Sequence, residues 1–242
     1  MSSNSIAETL EPRKAALRDY FGPGGFERWK SIYGDGEVSF IRRTVREGHA
    51  AVVEQSLAWV EEAARGNTLR VIDAGCGPGL VAQALARRGH RVDGCDLAEE
   101  MVQAAYQRFE AEPEELRQRV TFTFSDLESF GQQLSGAPRD LALCLDVLIY
   151  YPEDELVRIF KHLKALAPAR LIFTYAPASP FFRAMHWLGK KFPHRHRATR
   201  LEIIGEKAVR RALAANSWQL VRQRSFSKGF YHVVLAEAVA VA

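Results

Sequence analysis

Cysteine is scarce in this chain. There are three in 242 residues, an odd number with no C-x-x-C pair, which indicates neither a disulfide framework nor a zinc site and leaves reduced, buried thiols as the reading. Long apolar runs are missing as well. The stretches around 141 to 151 and 170 to 177 are interrupted by Asp146 or are too short to span a bilayer. The opening Met1-Ser2-Ser3-Asn4-Ser5 lacks the basic-then-apolar order of an export signal, so a cytoplasmic protein is expected. Without internal repeats or low-complexity linkers, one domain is the default, with enough chain for one substantial core and an appended cap.

Acids are absent from a local stretch too. Between Lys190 and Arg200 the chain carries five Lys or Arg, two His and no Asp or Glu, against a net charge of only +4. Phe181, Phe182, Met185, Trp187 and Leu188 come just before it. An apolar, aromatic surface with a cationic rim suits a flat apolar molecule bearing carboxylates, an anionic membrane surface or a nucleic acid. A solvated basic turn behind a core-packed helix is the competing reading.

What the chain does have is Asp73-Ala74-Gly75-Cys76-Gly77-Pro78-Gly79, directly after the apolar Leu69-Arg70-Val71-Ile72 and before the helical Leu80-Val81-Ala82-Gln83-Ala84-Leu85-Ala86. A strand running into a glycine loop and a helix lets the backbone approach a ligand closely, and it aims the helix N-terminus at that ligand. Three further acids follow in register. Arg91 to Cys95 reads as a second strand ending at Asp96, about twenty residues past the loop, where a carboxylate can accept ribose hydroxyls. Val120 to Phe124 ends in Ser125-Asp126-Leu127, a place for an acid to meet an adenine amino group, and Leu141 to Leu145 ends at Asp146. Ligands bind open α/β sheets at such strand ends. A dinucleotide loop runs G-x-G-x-x-G to hold a pyrophosphate, whereas this one is D-x-G-x-G-x-G. S-adenosylmethionine has no phosphate, and its ammonium suits the leading carboxylate while its amino acid end suits the glycine amides. Turn formation and helix capping are the plainer roles for each acid taken singly.

Glu153 to Leu166 has helical periodicity, Arg170 to Tyr175 is a fifth strand, and Gly205 to Asn216 supplies a last helix. Trp218 to Arg222 and Gly229 to Ala236 then read as an antiparallel hairpin turning through Ser227-Lys228-Gly229. Alternation of this kind gives an α/β fold whose mostly parallel sheet has a reversed edge. At the front, Glu47 to Ala64 reads as an amphipathic helix. Before it, Leu17 to Tyr33 carries Tyr20, Phe21, Phe26, Trp29 and Tyr33 around Gly22-Pro23-Gly24-Gly25. An arm that closes over the cofactor and presents Tyr20 and Tyr33 fits both the aromatics and the glycines.

The series of acids and glycines resembles the class I S-adenosylmethionine-dependent methyltransferases. Six segments are similar to one family among them, the magnesium-protoporphyrin IX O-methyltransferases of chlorophyll and bacteriochlorophyll synthesis. They are Asp19-Tyr20-Phe21, Gly25 to Gly36, Arg46-Glu47-Gly48-His49, Asp73 to Gly79, Cys144 to Pro152, and Phe230-Tyr231 with Leu235 to Ala238. The resemblance implies a Rossmann-like class I fold with a seven-stranded sheet and C-terminal hairpin. It also implies an N-terminal helical arm over residues 1–46, a methyltransferase domain over 47–242, and a substrate cap at about 178–204 after the fifth strand.

The cofactor set it implies is Tyr20, Arg46, Asp73, Gly75, Cys76, Gly77, Asp96, Leu97, Met101, Asp126, Leu127 and Asp146, with Arg46 a candidate for the cofactor carboxylate and His49 able to line the same pocket. Tyr33 and Tyr150 are the expected catalytic residues, as positioning hydroxyls; Tyr150 stands where the family usually has histidine. Arg195, Arg197 and Arg200 are expected to hold the propionate that is not methylated, and magnesium enters only as part of the substrate. A partner in the porphyrin-binding subunit of magnesium chelatase, peripheral contact with the photosynthetic membrane, and no nucleic acid complete the expectation. A methyltransferase for another small acceptor, or a noncatalytic protein regulated by the cofactor, are the alternatives.

Overall fold

The computed structural model describes residues 3–22, 39–134, 139–167, 169–178 and 201–241. Its frame is one seven-stranded sheet in the order β3-β2-β1-β4-β5-β7-β6. The strands are β1 (Arg70–Ala74), β2 (Arg91–Asp96), β3 (Val120–Phe124), β4 (Leu141–Cys144), β5 (Arg170–Tyr175), β6 (Trp218–Lys228) and β7 (Tyr231–Ala240). The first five are parallel. β7 slots antiparallel between β5 and β6. Around the sheet lie α1 (Ser3–Phe21), α2 (Phe40–Ala64), α3 (Leu80–Arg87), α4 (Glu99–Glu110), α5 (Glu114–Arg117), α6 (Leu127–Gln133), α7 (Leu156–Leu166) and α8 (Glu206–Ala214). Among the described residues, no helix is long and apolar enough to cross a membrane.

The central strands are apolar at consecutive positions because both of their faces are covered. Leu141 and Leu143 enter one core with Val52, Trp59 and Val71, whereas Ala142 and Cys144 enter the other with Ile72, Phe160 and Phe173. In the second core Phe160 meets Phe173 and Trp218 edge-on at ring centroid distances of 5.2 and 6.2 Å. Each large side chain buried here contributes about 1.5–3 kcal/mol relative to exposure.

Two elements depart from the sequence reading. α2 begins at Phe40 rather than Glu47, so the arm boundary expected after residue 46 falls inside a helix. The amphipathic pattern hid its first turns because Phe40 and Ile41 are 69% and 50% exposed, while the face that packs there is made of Thr44 and Gly48. β6 runs on from Arg222 to Lys228, past an irregularity between Leu220 and Arg222. Its outer half is polar because it is a sheet edge, and the reversal is made at Gly229, with φ +55°.

The insertion after β5 leaves and returns at one point. Pro177 bridges to Ile204, the Ile204 N–H donates to the Ala176 carbonyl at 2.8 Å, and the Glu202 N–H donates to the Ile149 carbonyl at 2.7 Å. Both ends of the expected cap are therefore tied to the C-terminal edge of the sheet, next to the turn that carries Tyr150.

Candidate functional site

The carboxyl ends of β1, β2 and β4 open into one cavity, closed on another side by α1 and α2. Of the sequence-predicted set, Asp73, Gly75, Cys76, Gly77, Asp96, Leu97, Met101, Leu127, Asp146 and Tyr150 line it. Tyr20, Arg46 and Asp126 are not among the lining residues. Tyr33, Arg195, Arg197 and Arg200 lie outside the described residues.

The glycine loop is shaped by its neighbours. Gly75, Gly77 and Gly79 have φ of +79°, +50° and +76°, the left-handed region that other residues resist. A Cβ on Gly75 would stand 2.2 Å from Val147 Cγ2, so the loop passes tight against the turn after β4. The loop amides are already committed within the protein. Gly75 and Cys76 donate to the Cys95 carbonyl at 2.8 and 2.9 Å, and Gly77 donates to Asp96 Oδ2 at 2.9 Å. The expectation that these amides face an amino acid end is thus corrected: the turn itself consumes them.

Asp96 also takes the Ala98 N–H on Oδ1 at 2.9 Å. Burial raises its pKa, with these backbone donors opposing the rise. Asp73 is the more telling acid. It is 2% exposed, and its Oδ2 is buried without a hydrogen-bond partner. Burial and, after it, the nearby Asp96 push its pKa up to about 7, against the opposing effects of the Ala82 N–H and His49. A buried, partnerless carboxylate oxygen at a cavity wall calls for a cation, and an α-ammonium fits it. Asp96 at the end of β2 and the apolar Leu97, Met101 and Leu127 suit an adenosine, so the residues present fit S-adenosylmethionine.

Asp146 is built into a network. Its φ is +56° although it is not glycine, a conformation that persists only where surrounding contacts impose it. Its N–H donates to Thr174 Oγ1 at 2.6 Å, and the Thr174 hydroxyl donates to Oδ1 at 3.2 Å. The Tyr231 hydroxyl lies 2.9 Å from both carboxylate oxygens, and His49 Nδ1 lies 2.9 Å from Oδ2.

Asp126 caps α6, accepting the Ser129 N–H on Oδ1 at 2.7 Å and Lys14 Nζ on Oδ2 at 3.0 Å. Burial alone would raise its pKa, but Ser129 and Lys14 together hold it below the ordinary carboxylate value. Lys14 also pairs with Glu128, and Arg158 binds Glu128 from the other side. From α1, Leu17 and Phe21 reach the cavity in place of Tyr20. Phe21 meets Tyr150 edge-on at 5.3 Å, and Arg13 Nη1 donates to the Tyr150 carbonyl at 2.9 Å. The sequence reading did not single out Leu17 or Lys14; helix α1 has a proline inside it and a weakly apolar face, and a lysine there carries no local mark of its distant partners. Among the described residues no group of three or more His, Cys, Asp or Glu side chains is arranged to hold a metal ion.

The family model described as the magnesium-protoporphyrin IX methyltransferase C-terminus matches residues 144–240, and a methyltransferase domain model matches residues 71–168. The magnesium-protoporphyrin O-methyltransferase of Synechocystis sp. is 37% identical over 93% of this chain and 96% of its own length. The chloroplastic magnesium protoporphyrin IX methyltransferase of Arabidopsis thaliana is 36% identical over 93% of this chain and 71% of its own. A crystal structure of the Synechocystis PCC 6803 magnesium protoporphyrin IX methyltransferase with bound SAH superposes with a TM-score of 0.82 at 35% identity, covering 94% of this chain and 100% of that one. A seven-stranded class I sheet, a cavity suited to the methyl donor and similarity along nearly the whole chain lead to one conclusion: the chain belongs to the magnesium-protoporphyrin IX O-methyltransferase family.

Proposed function

We propose that this protein transfers a methyl group from S-adenosylmethionine to a propionate carboxylate of magnesium-protoporphyrin IX, forming the monomethyl ester. The donor half of the reading is carried by the partnerless Asp73 oxygen. The acceptor half follows from relatives of that name aligned with 93% of the chain. When bound, the donor supplies an electrophilic methyl group on a sulfonium.

The protein's own work is binding, orientation and exclusion of water. A propionate ionises at a pKa of about 4 to 5, so the nucleophile is already an anion at neutral pH and needs no general base. Asp73 meets the donor ammonium and Asp96 the ribose, while Leu97, Met101 and Leu127 receive the adenine. Arg46, on α2 before His49, is a further proposed contact at the outer edge of this site. Tyr150, on the turn after β4 and packed against Phe21, orients the acceptor together with Tyr33. Leu17 and Phe21 help to keep water from the carboxylate, so that proximity and desolvation supply most of the acceleration. Arg195, Arg197 and Arg200 are proposed to hold the second propionate.

Two finer proposals follow the same reading. One is hand-over of the pigment from the porphyrin-binding subunit of magnesium chelatase; the other is a cytoplasmic location with peripheral contact at the photosynthetic membrane. Replacement of Phe181 and Trp187 by Ser is expected to abolish both pull-down by that subunit and flotation with anionic vesicles. The deciding experiment for the reaction is incubation of the pure protein with S-adenosylmethionine and magnesium-protoporphyrin IX, followed by mass spectrometry of the pigment. Gain of a single methyl group is the expected result. An unchanged pigment, with donor binding intact, would reject this acceptor.

A further inference from the structure

We propose that His49 reads the α-carboxylate of the methyl donor, held for that task by Asp146 and, through Asp146, by the positioning residues Tyr231 and Thr174. The inference rests on the methyl-donor reading of the cavity and uses nothing about the acceptor.

Three of the described lining residues are acids, Asp73, Asp96 and Asp146, and the basic group among them is His49. The donor's amino acid end brings a further carboxylate on the same carbon as its ammonium. Once Asp73 has taken the ammonium, that carboxylate lies within a few ångströms of acids and needs a cation or a set of donors close by. The glycine loop does not supply them through Gly75, Cys76 or Gly77, whose N–H groups are spent on Cys95 and Asp96. His49 is in the right neighbourhood, since its ring lines the same cavity as Asp73.

The imidazole is also held by a built arrangement. Nδ1–H donates to Asp146 Oδ2 at 2.9 Å, which fixes the orientation of the ring and turns Nε2 away from that carboxylate. Asp146 is immobilised in turn by Tyr231 and Thr174, and it adopts a left-handed backbone to do this. Tyr231 reaches Asp146 because the residue before His49 is glycine: a Cβ on Gly48 would stand 2.3 Å from the Tyr231 ring. Three segments remote in sequence therefore converge on the one carboxylate that orients the histidine. A charge-assisted bond from that histidine to the donor is the chemistry the arrangement supports.

The test compares S-adenosylhomocysteine with its decarboxylated analogue by isothermal titration on the full chain, with no pigment present. The wild type is expected to prefer S-adenosylhomocysteine. His49→Ala and His49→Gln should weaken it about tenfold to hundredfold while leaving the decarboxylated analogue within about threefold, which also reports that each variant is folded. Tyr231→Phe should move the preference in the same direction by a smaller factor, with affinity for the decarboxylated analogue again kept within about threefold. The proposal is overturned if the preference survives in His49→Gln, if both ligands weaken equally, or if the preference is lost in Arg46→Ala and kept at His49. Because the pigment is absent, failure here and failure of the acceptor assignment are separate results.

Discussion

Asp73→Asn should make the protein more stable and unable to use its cofactor, and the two effects share one cause. In the unfolded chain the carboxyl ionises near 3.8, and in the folded, cofactor-free protein near 7. Between those values only the folded state keeps the proton. Native stability is therefore highest below the lower value, and it falls as pH rises until the folded group has ionised, just above 7. At 1.36 kcal/mol per pKa unit, the rise of about three units makes burying the ionised carboxylate at pH 8 cost about 4 kcal/mol. Asparagine keeps the acceptor for the Ala82 N–H and removes the charge, so at pH 8 the variant should melt roughly 5 to 10 °C higher than wild type, while at pH 4 the difference should nearly vanish. Binding should run the other way. Wild-type affinity for S-adenosylhomocysteine should climb between pH 5.5 and 7 as Asp73 ionises to meet the ammonium, whereas Asp73→Asn should bind about 100-fold more weakly with a flatter profile. Differential scanning fluorimetry and titration calorimetry across that range measure both. Equal melting temperatures at pH 8, or tight binding by the asparagine variant, would refute the assignment of Asp73 to a cation.

Gly75→Ala forces a left-handed φ onto alanine and a contact with Val147; loss of donor binding and a stability decrease of about 2 kcal/mol or more are expected in urea melts. Lys14→Met leaves Asp126 and Glu128 without their shared cation, and should cost about 1 to 3 kcal/mol at pH 7. Both carboxylates are held below their ordinary values, so the stability this pairing adds is present above the ordinary range and is lost as pH falls through the lowered values; the two proteins should converge in acid. Tyr150→Phe and Tyr33→Phe should slow methyl transfer about tenfold in single-turnover assays, with S-adenosylhomocysteine affinity changed less than about threefold. Full turnover by either variant would remove it from the positioning role.

The strand-end acids were readable because parallel strands bring their carboxyl ends to one edge whatever lies between them, so Asp73, Asp96 and Asp146 needed only local pattern to be placed together. Side-chain partnerships across the fold had no such local mark. Asp126 occupies the expected strand end, yet Lys14 from α1 and the Ser129 N–H claim its oxygens. On α2 the motif Arg46-Glu47-Gly48-His49 was visible, but which of its two basic residues faces the cavity depends on the helix starting at Phe40 and on Tyr231 packing against Gly48. The hairpin was found and its first strand underestimated, since an exposed edge strand needs no apolar alternation to pair.

The bond between Tyr231 and Asp146 also sets an order of events during synthesis. These residues are 85 positions apart, and at about 5–20 residues per second the ribosome needs roughly 4 to 17 seconds to make the second after the first. Until β7 emerges, β5 has an open edge, and the left-handed turn at Asp146 lacks one of the contacts that hold it. The glycine loop, β2 and the adenosine side can assemble early from nearby chain, so a nascent protein would pass through a stage with half of its donor site formed. Nascent chains stalled before and after residue 231 should differ sharply in their capture of the donor.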